Sequence, residues 1–167
     1  MQTDPAVSIR TRGLLVFPIG ELWFGARVEE VAGLLEAERL VPLPGQRDPI
    51  VGVVAFRGSM VPTLDLVSFL DAGPVRPGTA RYALVITRGL DRFGILVPSL
   101  PRLVPARELK EAELGTPDSE VASLIDSLYE AGGRLIHCLN YGSVIDSTMP
   151  GAATKRSGAM ARSEGAR

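Results

Sequence analysis

The sequence contains very few of the residues that most often carry out chemistry. Its 167 residues include one histidine, His137, and one cysteine, Cys138. A single cysteine excludes an internal disulfide and is typical of a reducing compartment. One residue of each type is also too few for a His/Cys metal site, since zinc sites use three or four protein ligands. We therefore expect neither a metal nor another cofactor.

Long apolar runs are missing as well, and so are long basic runs before the C-terminal tail. No stretch approaches the roughly 20 consecutive apolar residues of a membrane-spanning helix, and the first residues lack the basic and apolar regions of a signal peptide. The formal net charge is −1, whereas phosphate binding needs clustered Lys and Arg. We expect a cytoplasmic protein that neither inserts into a membrane nor binds nucleic acid.

The common catalytic motifs are also absent. The sequence has no phosphate-binding loop followed by Lys-Ser/Thr, no glycine fingerprint after a strand and no nucleophile elbow. In a strand, His137 would share a face with Leu135 and Leu139. Cys138 would face the other way, so the two reactive groups would not meet. A hydrogen-bonded histidine in the core or at a seam is favoured over a catalytic one, and a binding protein is favoured over an enzyme.

Short aliphatic runs between glycines and prolines dominate the chain and are typical of β-structure with many turns. Aromatic residues make up only 5% of the chain, so the core should be aliphatic. Strands are predicted over residues 14–19, 22–25, 82–87, 93–97, 124–129 and 134–139. Gly132-Gly133 predicts a tight hairpin between the last two. Pro18 and Pro62 lie within apolar runs. Pro18 favours an edge strand and Pro62 an edge or a bulge, because proline donates no ladder hydrogen bond.

Residues 50–66 form the clearest pattern, with two apolar runs joined by the polar corner Arg57-Gly58-Ser59. Gly58 supplies the positive φ that a tight hairpin often requires. Asp65 precedes a short apolar segment and is a good N-cap for a helix there. Arg57 is either a solvated turn residue or a partner contact.

Other segments give weaker signals. Val28, Val31 and Leu35 recur at i, i+3 and i+7, which predicts a short amphipathic helix over residues 28–36. The polar stretch at residues 106–120 has no firm period and predicts a long surface loop. A Gly/Pro cluster between residues 71 and 79 predicts the main internal boundary.

The hairpin resembles a motif of the CheW family, the adaptor proteins of bacterial chemosensory arrays. In that family an Asn-Leu-Arg-Gly corner leads into Val-Pro-x-x-Asp-Leu. The matching residues of this chain are Gly52, Arg57, Gly58, Val61, Pro62, Asp65 and Leu66. Ala55 and Phe56 replace the usual Asn and Leu, and Asn140 replaces an aspartate that ends the family's last strand. The resemblance extends over roughly residues 13–146.

The resemblance implies the fold. CheW-like proteins are all-β with a few short helices and consist of two SH3-like five-stranded β-barrels packed side by side. The expected CheW-like domain covers residues 13–149, with the first barrel mainly in 13–72 and the second mainly in 80–146. Residues 1–12 are then a flexible N-terminal arm. Residues 150–167 are predicted to be a disordered basic tail, since they have few apolar residues and no periodicity.

The resemblance also implies a function without catalysis. Family members couple methyl-accepting chemoreceptors to a CheA-type histidine kinase, whose regulatory domain has the same fold, and they build rings with other CheW-like chains. One surface takes the cytoplasmic tip of a receptor. Carried over to this chain, the receptor-side candidates are Val28, Val31, Gly52, Arg57 and Met60. No residue is carried over for the kinase side, and the output stays open between chemotaxis, pilus motility and a response such as biofilm or second-messenger control.

One departure from the family pattern affects these expectations. Gly33 stands where the family has an acidic residue that pairs with the hairpin arginine. Arg57 then either pairs with another acid of the neighbouring segment or stays free for a partner. The acids in reach along the sequence are Glu29, Glu30 and Glu36.

An alternative function comes from a different class. The seam between the two barrels would then be the pocket of a small-ligand sensor or an enzyme, with His137 or Asp65 as its polar group. A histidine held against backbone carbonyls would argue against this alternative, whereas a histidine open to a cavity would support it.

Overall fold

The computed structural model describes residues 11–45, 50–70, 80–114 and 124–148, which form mostly strands with two short helices. In chain order the strands are β1 (Gly13–Ile19), β2 (Leu22–Arg27), β3 (Val31–Glu36), β4 (Ile50–Phe56), β5 (Ser59–Leu64), β6 (Tyr82–Arg88), β7 (Asp91–Val97), β8 (Arg102–Pro105), β9 (Lys110–Ala112), β10 (Ile125–Ala131) and β11 (Arg134–Leu139). The helices are α1 (Leu66–Phe69) and α2 (Tyr141–Thr148). None of the helices in this part of the chain has the length and apolar character needed to cross a membrane.

The strands form two sheets, and each sheet contains strands from both halves of the chain. The order is β8-β1-β2-β11-β10-β9 in the six-stranded sheet and β3-β6-β7-β5-β4 in the five-stranded sheet. Two parallel pairings, β2 with β11 and β5 with β7, each join strands from opposite halves. Each sheet is completed by strands distant in sequence: β1 and β2 join four strands of the second half, and β6 and β7 join three strands of the first half. The division into a barrel mainly from residues 13–72 and one mainly from 80–146 stays a prediction.

Two hairpins turn on a pair of residues with positive φ. In the β4–β5 hairpin they are Arg57 (φ 48°) and Gly58 (φ 77°), and in the β10–β11 hairpin they are Gly132 (φ 57°) and Gly133 (φ 75°). Positive φ at both central residues gives the turn a twist that matches the twist of the flanking strands. Both predicted hairpins are confirmed.

The predicted helix over residues 28–36 is wrong. A 3-10 turn at Val28–Glu30 leads into β3, which pairs antiparallel with β6. The register of this pairing shifts between Val31 and Gly33, and a bulge interrupts the alternation of side chains along a strand. The turn and the bulge together produce the apolar spacing that resembles a helical pattern.

The edge strand predicted from Pro18 is wrong too, since β1 is an interior strand, and the strand that carries Pro62, β5, is interior as well. The prolines are tolerated because a neighbouring strand covers only part of each: β8 pairs with residues 13–16 of β1, and β7 pairs with the last two residues of β5. Within the predicted loop of residues 106–120, β9 pairs with β10. It lacks apolar alternation because it is a short edge strand.

Three apolar clusters form the core, which is mainly aliphatic as predicted. The largest takes residues from both sheets and both helices and holds the sheets together; its most buried members include Phe17, Ile19, Phe24, Leu64, Leu66, Leu84, Ile86, Phe93, Ile95, Leu139 and Tyr141. One smaller cluster fills the five-stranded sheet and consists of Val54, Phe56, Val61, Ala83 and Val85. The other fills the six-stranded sheet and consists of Leu14, Val16, Ile136 and Cys138. Shared burial stabilises two units that are each too small to bury enough apolar surface alone.

Side-chain hydrogen bonds fix two chain segments near the core. The Asp65 carboxylate accepts a hydrogen bond of 3.0 Å from the backbone N–H of Val67 and caps α1, as predicted. The Thr11 hydroxyl and the Arg12 backbone N–H donate to the Glu29 carboxylate at 2.8 and 2.6 Å. The last two residues of the predicted arm are therefore held against the folded domain. The rest of that arm and the predicted C-terminal tail lie outside the described residues.

Candidate partner-binding surface

The tip of the β4–β5 hairpin presents a cation on a rigid support. Arg57 is exposed, and its guanidinium carbon lies 5.0 Å from the centroid of the Phe56 ring. A guanidinium is attracted to the electron-rich face of an aromatic ring. Among the described residues, Arg57 is also the one non-glycine residue with positive φ, a backbone conformation that is uncommon for residues with a Cβ. The turn and the ring together fix the position of the cation.

Met60 adds an exposed apolar side chain beside this cation. It pairs with Ala55 across the hairpin, and both are exposed, Met60 to 59%. The neighbouring Phe56 and Val61 are buried, as the alternation of a strand requires. A flexible thioether adapts to irregular surfaces and is common where partners bind.

Phe56 links the hairpin to β3. Its ring lies so close to Gly33 that a Cβ at position 33 would stand 2.7 Å from Cε2 of the ring. No acidic side chain can occupy position 33 unless the ring moves. This one contact explains why glycine stands at position 33, where the family has an acid, and phenylalanine at position 56, where the family has leucine. The hairpin arginine stacks on the Phe56 ring instead of pairing with that acid.

An apolar groove of about 330 Å³ lies at the seam between the two sheets. Its lining comes from β1, β3, β6 and the segment after β7, and consists of Leu15, Val31, Ala32, Gly33, Leu34, Leu84 and Pro101. Leu34, which the sequence analysis did not single out, is a large apolar residue exposed here to 38%. No lining residue has a titratable side chain, so the groove offers apolar contact and no acid–base group.

The structure brings four of the five predicted receptor-side residues to one region. Val31 lines the groove, and Val28 is half-buried in the 3-10 turn before it. Arg57 and Met60 are on the hairpin tip, which reaches the groove wall through the Phe56 ring. We call Val28, Val31, Leu34, Arg57 and Met60 the hairpin–groove surface.

Gly52 is not part of this surface, because it is buried in β4. A Cβ at this position would stand 2.6 Å from the carbonyl oxygen of Val41. Val41 and Val53 exchange backbone hydrogen bonds of 2.8 and 2.9 Å. The glycine therefore allows an extra chain segment to pair with the edge strand, and its role is in the fold.

The acids considered for Arg57 have other partners or none near it. Hydrogen bonds hold Glu29 to Thr11 and Arg12; burial acts to raise the pKa of Glu29, but these bonds outweigh it and lower the pKa. Glu30 lies 3.8 Å from the guanidinium of Arg27. Within the described ranges no carboxylate forms an ion pair with Arg57. Its recorded contact is the ring of the preceding residue.

A buried arginine beside the groove was not predicted. Arg27, the last residue of β2, is only 3% exposed. Its guanidinium donates two hydrogen bonds to the Asp126 carboxylate on β10, at 2.7 and 3.2 Å, and one of 2.7 Å to the Ser127 hydroxyl. With Glu30 at 3.8 Å, this Arg27 clamp joins β2, β10 and the turn that leads into the groove-lining strand β3.

Burial and ion pairing shift the pKa values of the clamp residues in opposite directions. Burial acts to lower the pKa of Arg27, but the hydrogen bond and charge of Asp126 outweigh it and raise the pKa above its ordinary value. Burial raises the pKa of Glu30, although the positive charge of Arg27 opposes the shift. The guanidinium therefore stays charged, with Asp126 as its principal partner.

Neither His137 nor Cys138 is arranged for catalysis. Nδ1 of the half-buried His137 lies 3.0 Å from the backbone carbonyl oxygen of Trp23, which confirms the predicted hydrogen-bonded histidine. Burial raises the pKa of the Cys138 thiol to about 12, so the nucleophilic thiolate is not populated at neutral pH. Asp65 is engaged as a helix cap, and neither it nor His137 lines the seam groove. This groove is therefore not the pocket that the alternative requires.

Comparisons with known proteins give the same architecture. A sequence model of the CheW-like domain matches residues 13–149. The chain is 29% identical to Protein FrzA of Myxococcus xanthus over 161 residues, which cover 93% of this chain and 100% of that protein. The crystal structure of the scaffolding protein TtCheW from Thermoanaerobacter tengcongensis has a TM-score of 0.64 and 14% sequence identity, over 83% of this chain and 90% of that chain.

These likenesses confirm the expected fold class, which is all-β with two SH3-like barrels and a few short helices. The observed sheets have six and five strands, whereas five were expected in each. The six-stranded sheet includes the short edge strand β9, which lies in the predicted loop. The family match runs from the first residue of β1 to just beyond α2, and the chain belongs to the family of CheW-like domain proteins.

Proposed function

We propose that this chain is a non-catalytic cytoplasmic adaptor that couples methyl-accepting chemoreceptors to a CheA-type histidine kinase in a membrane-associated array. Its family membership supports a coupling role. The observation that carries the receptor assignment is the hairpin–groove surface, which has a rigid cation at the hairpin tip and an apolar channel at the seam. Concave apolar surface beside a fixed charge is typical of protein-binding sites.

The cytoplasmic tip of a receptor, a helical hairpin, has the chemistry that this surface accepts. An amphipathic helix binds by placing its apolar stripe in a groove, with contacts spaced one turn apart. Val31 and Leu34 supply such contacts on the protein side. Arg57 then meets an acidic side chain or the carbonyl groups at a helix C-terminus, which attract cations.

The kinase and the ring partners bind elsewhere in this proposal. The regulatory domain of the kinase and other CheW-like chains dock on other faces, and we assign no residue to them. The partners decide whether the output is chemotaxis, pilus motility or another response such as biofilm or second-messenger control. Co-purification of the receptor and the kinase with this chain identifies the pathway.

Replacing Arg57 tests the receptor site. Arg57→Ala should weaken binding of the receptor tip at least tenfold, because truncating a charge that becomes desolvated in a complex costs about 2–5 kcal/mol. In the free protein the change removes only an exposed cation–π contact of about 0.5–1 kcal/mol, so the melting temperature should stay near normal. Met60→Lys should also weaken binding, by placing a charge in the apolar part of the footprint. Isothermal titration with the receptor's cytoplasmic hairpin and thermal melts measure the two effects.

Two matched variants separate this site from a general effect of charge. Arg107→Ala removes an arginine that is 82% exposed on another segment, and Leu90→Lys changes a fully exposed leucine at the β6–β7 turn. Both should bind the receptor tip normally. Normal binding by Arg57→Ala and Met60→Lys as well would move the receptor site elsewhere. If Arg57→Ala unfolded, the arginine would instead be needed for the stability of the free protein.

A further inference from the structure

A second cavity, of about 440 Å³, opens within the six-stranded sheet and shares no lining residue with the hairpin–groove surface. Its apolar floor includes Val16 and Ile136, which are only 6% and 2% exposed and belong to the cluster that fills this sheet. Trp23 of β2 and Val104 of β8 form part of the wall. The accessible lining combines this apolar floor with a similar share of polar atoms, and cavities of roughly 300–1,000 Å³ are typical of small-molecule sites.

Two arginines give the cavity a positive charge. The guanidinium carbon of Arg134 lies 4.2 Å from the centroid of the Trp23 ring. A guanidinium stacked on an aromatic face keeps the N–H groups of its edge available, and Arg102 lines the same cavity from β8. Glu108 is the one acid in this lining; it is 57% exposed and lies 3.9 Å from Arg107. The cavity therefore has more positive than negative charge.

We propose that this cavity binds a small amphipathic anion, a molecule with a flat apolar body and one carboxylate. The apolar body packs against the aliphatic floor beside Trp23, and the carboxylate accepts hydrogen bonds from the arginine edges, whose planar fork matches it. At roughly 30 Å³ for each water-sized atom, the cavity holds on the order of 15 non-hydrogen atoms. This ligand site is independent of receptor coupling and adds a small-molecule input to a scaffold protein.

Quenching of tryptophan fluorescence tests the proposal directly. Trp23 is the single tryptophan of the chain, and an iodine atom quenches indole fluorescence at contact distance. We expect para-iodobenzoate to quench the full-length protein saturably. Its neutral analogue para-iodobenzamide should bind about fivefold more weakly, as the loss of an exposed ion pair implies, and the cation para-iodobenzamidinium more weakly still. Equal quenching by all three, or quenching without saturation, overturns the proposal.

Substitutions in the cavity lining test whether the ligand binds there. Arg134→Gln and Arg102→Gln should each lower the affinity for para-iodobenzoate about fivefold, whereas Arg92→Gln, an exposed change on β7, should leave it unchanged. Equilibrium dialysis measures this affinity, because Arg134→Gln also alters the surroundings of the fluorophore. Ala131→Phe places a ring in the cavity and should abolish binding. Wild-type affinity in both lining-arginine variants overturns the proposal.

The alternative is that a side chain of a protein partner, and not a small molecule, occupies this cavity. If Ala131→Phe folds normally and loses the receptor or the kinase, while the wild type shows no saturable binding of para-iodobenzoate, a partner side chain fills the cavity and the small-ligand site is rejected. If para-iodobenzoate binds saturably and Ala131→Phe keeps its protein partners, the small-ligand site stands. Both readouts use the complete chain and are separate from the test of Arg57.

Discussion

At the scale of single residues, the contact between Gly33 and Phe56 determines how the hairpin arginine is held. The ring occupies the space above the glycine and provides the face on which Arg57 lies. A ring restrains the guanidinium without neutralising it, whereas a carboxylate at the same place would do both. The cation therefore keeps its full charge for a partner.

This contact predicts a specific coupling between two substitutions. Gly33→Ala should lower the free energy of unfolding by about 1–3 kcal/mol, because its Cβ overpacks against the ring. Phe56→Leu in the same chain should relieve that clash, so the double variant should lose less than the sum of the two single losses. Urea unfolding of the four proteins measures the coupling. Strictly additive losses would contradict the contact.

Cys138 predicts a loss of stability in alkali. Burial raises the pKa of its thiol to about 12, whereas an unfolded thiol titrates near 8.5. A folded pKa above the unfolded one gives a contribution that is complete below about pH 8.5 and is lost as pH rises toward 12. From about pH 9 upward, the wild type should lose stability faster than Cys138→Ala. Urea unfolding of both proteins across this range under nitrogen checks this, and parallel stability curves would refute it.

Single residues show where sequence reasoning works and where it fails. The exposure of Arg57 follows from its place in a polar two-residue turn, so it could be predicted locally. The burial of Arg27 could not, because arginine is usually exposed and its partner Asp126 is 99 positions away in the sequence. The same holds for Gly52, whose close neighbour Val41 belongs to a segment with no strand pattern.

At the scale of elements, the Arg27 clamp fixes the turn before β3 against β10. Arg27→Met should lower the free energy of unfolding by about 3 kcal/mol at neutral pH, because it leaves Asp126 and Glu30 without their cation. Without the positive charge of Arg27, burial should raise the pKa of Glu30 further above its ordinary value, so the penalty applies at higher pH and is relieved as pH falls and Glu30 takes up a proton. Urea unfolding between about pH 4 and 7 measures this dependence.

A second variant isolates the charge from the packing of the clamp. Arg27→Met combined with Asp126→Leu replaces the ion pair by apolar side chains and should recover part of the lost stability, as such replacements often do. A loss for Arg27→Met that is independent of pH, with no recovery in the double variant, would show that shape rather than charge matters at this site.

Elements with local signals were the ones that could be predicted. The β10–β11 hairpin has its turn chemistry and both strands within one short stretch, so the pattern suffices. Strand β3 was taken for a helix because its partner β6 lies far along the chain and its bulge disturbs the period of two. Strand β9, Lys110–Ala112, is charged and at a sheet edge, so no apolar alternation marks it.

At the scale of the whole molecule, the interleaved sheets make the two halves of the chain interdependent. Fragments of residues 1–79 and 80–167 should each be unfolded alone, because β2 needs β11 and β5 needs β7. Far-UV circular dichroism and thermal melts of the separate fragments measure this. A cooperative melt by either fragment on its own would contradict it, and recovery of strand signal on mixing would support it.

The family resemblance predicted two barrels, whereas the apolar pattern could not assign strands to them. Pairing between distant strands depends on which surfaces meet after the chain closes long loops, and this information is spread over the whole chain. The candidate surface was predictable where it follows the hairpin motif. The place of Leu34 in the groove and the Phe56–Gly33 contact depend on how β3 packs against strands distant in sequence.

The parallel pairing of β2 with β11 has a consequence for the chain as it leaves the ribosome. All strands of the five-stranded sheet have been synthesised once Val97 is added, so this sheet can close while translation continues. The first hairpin, β1–β2, waits for β11 to pair with β2. Until then the sheet that carries its apolar residues Phe17 and Phe24 is incomplete. The earliest-made strands are therefore among the last to find their places, and the nascent chain needs protection from aggregation at its N-terminal end.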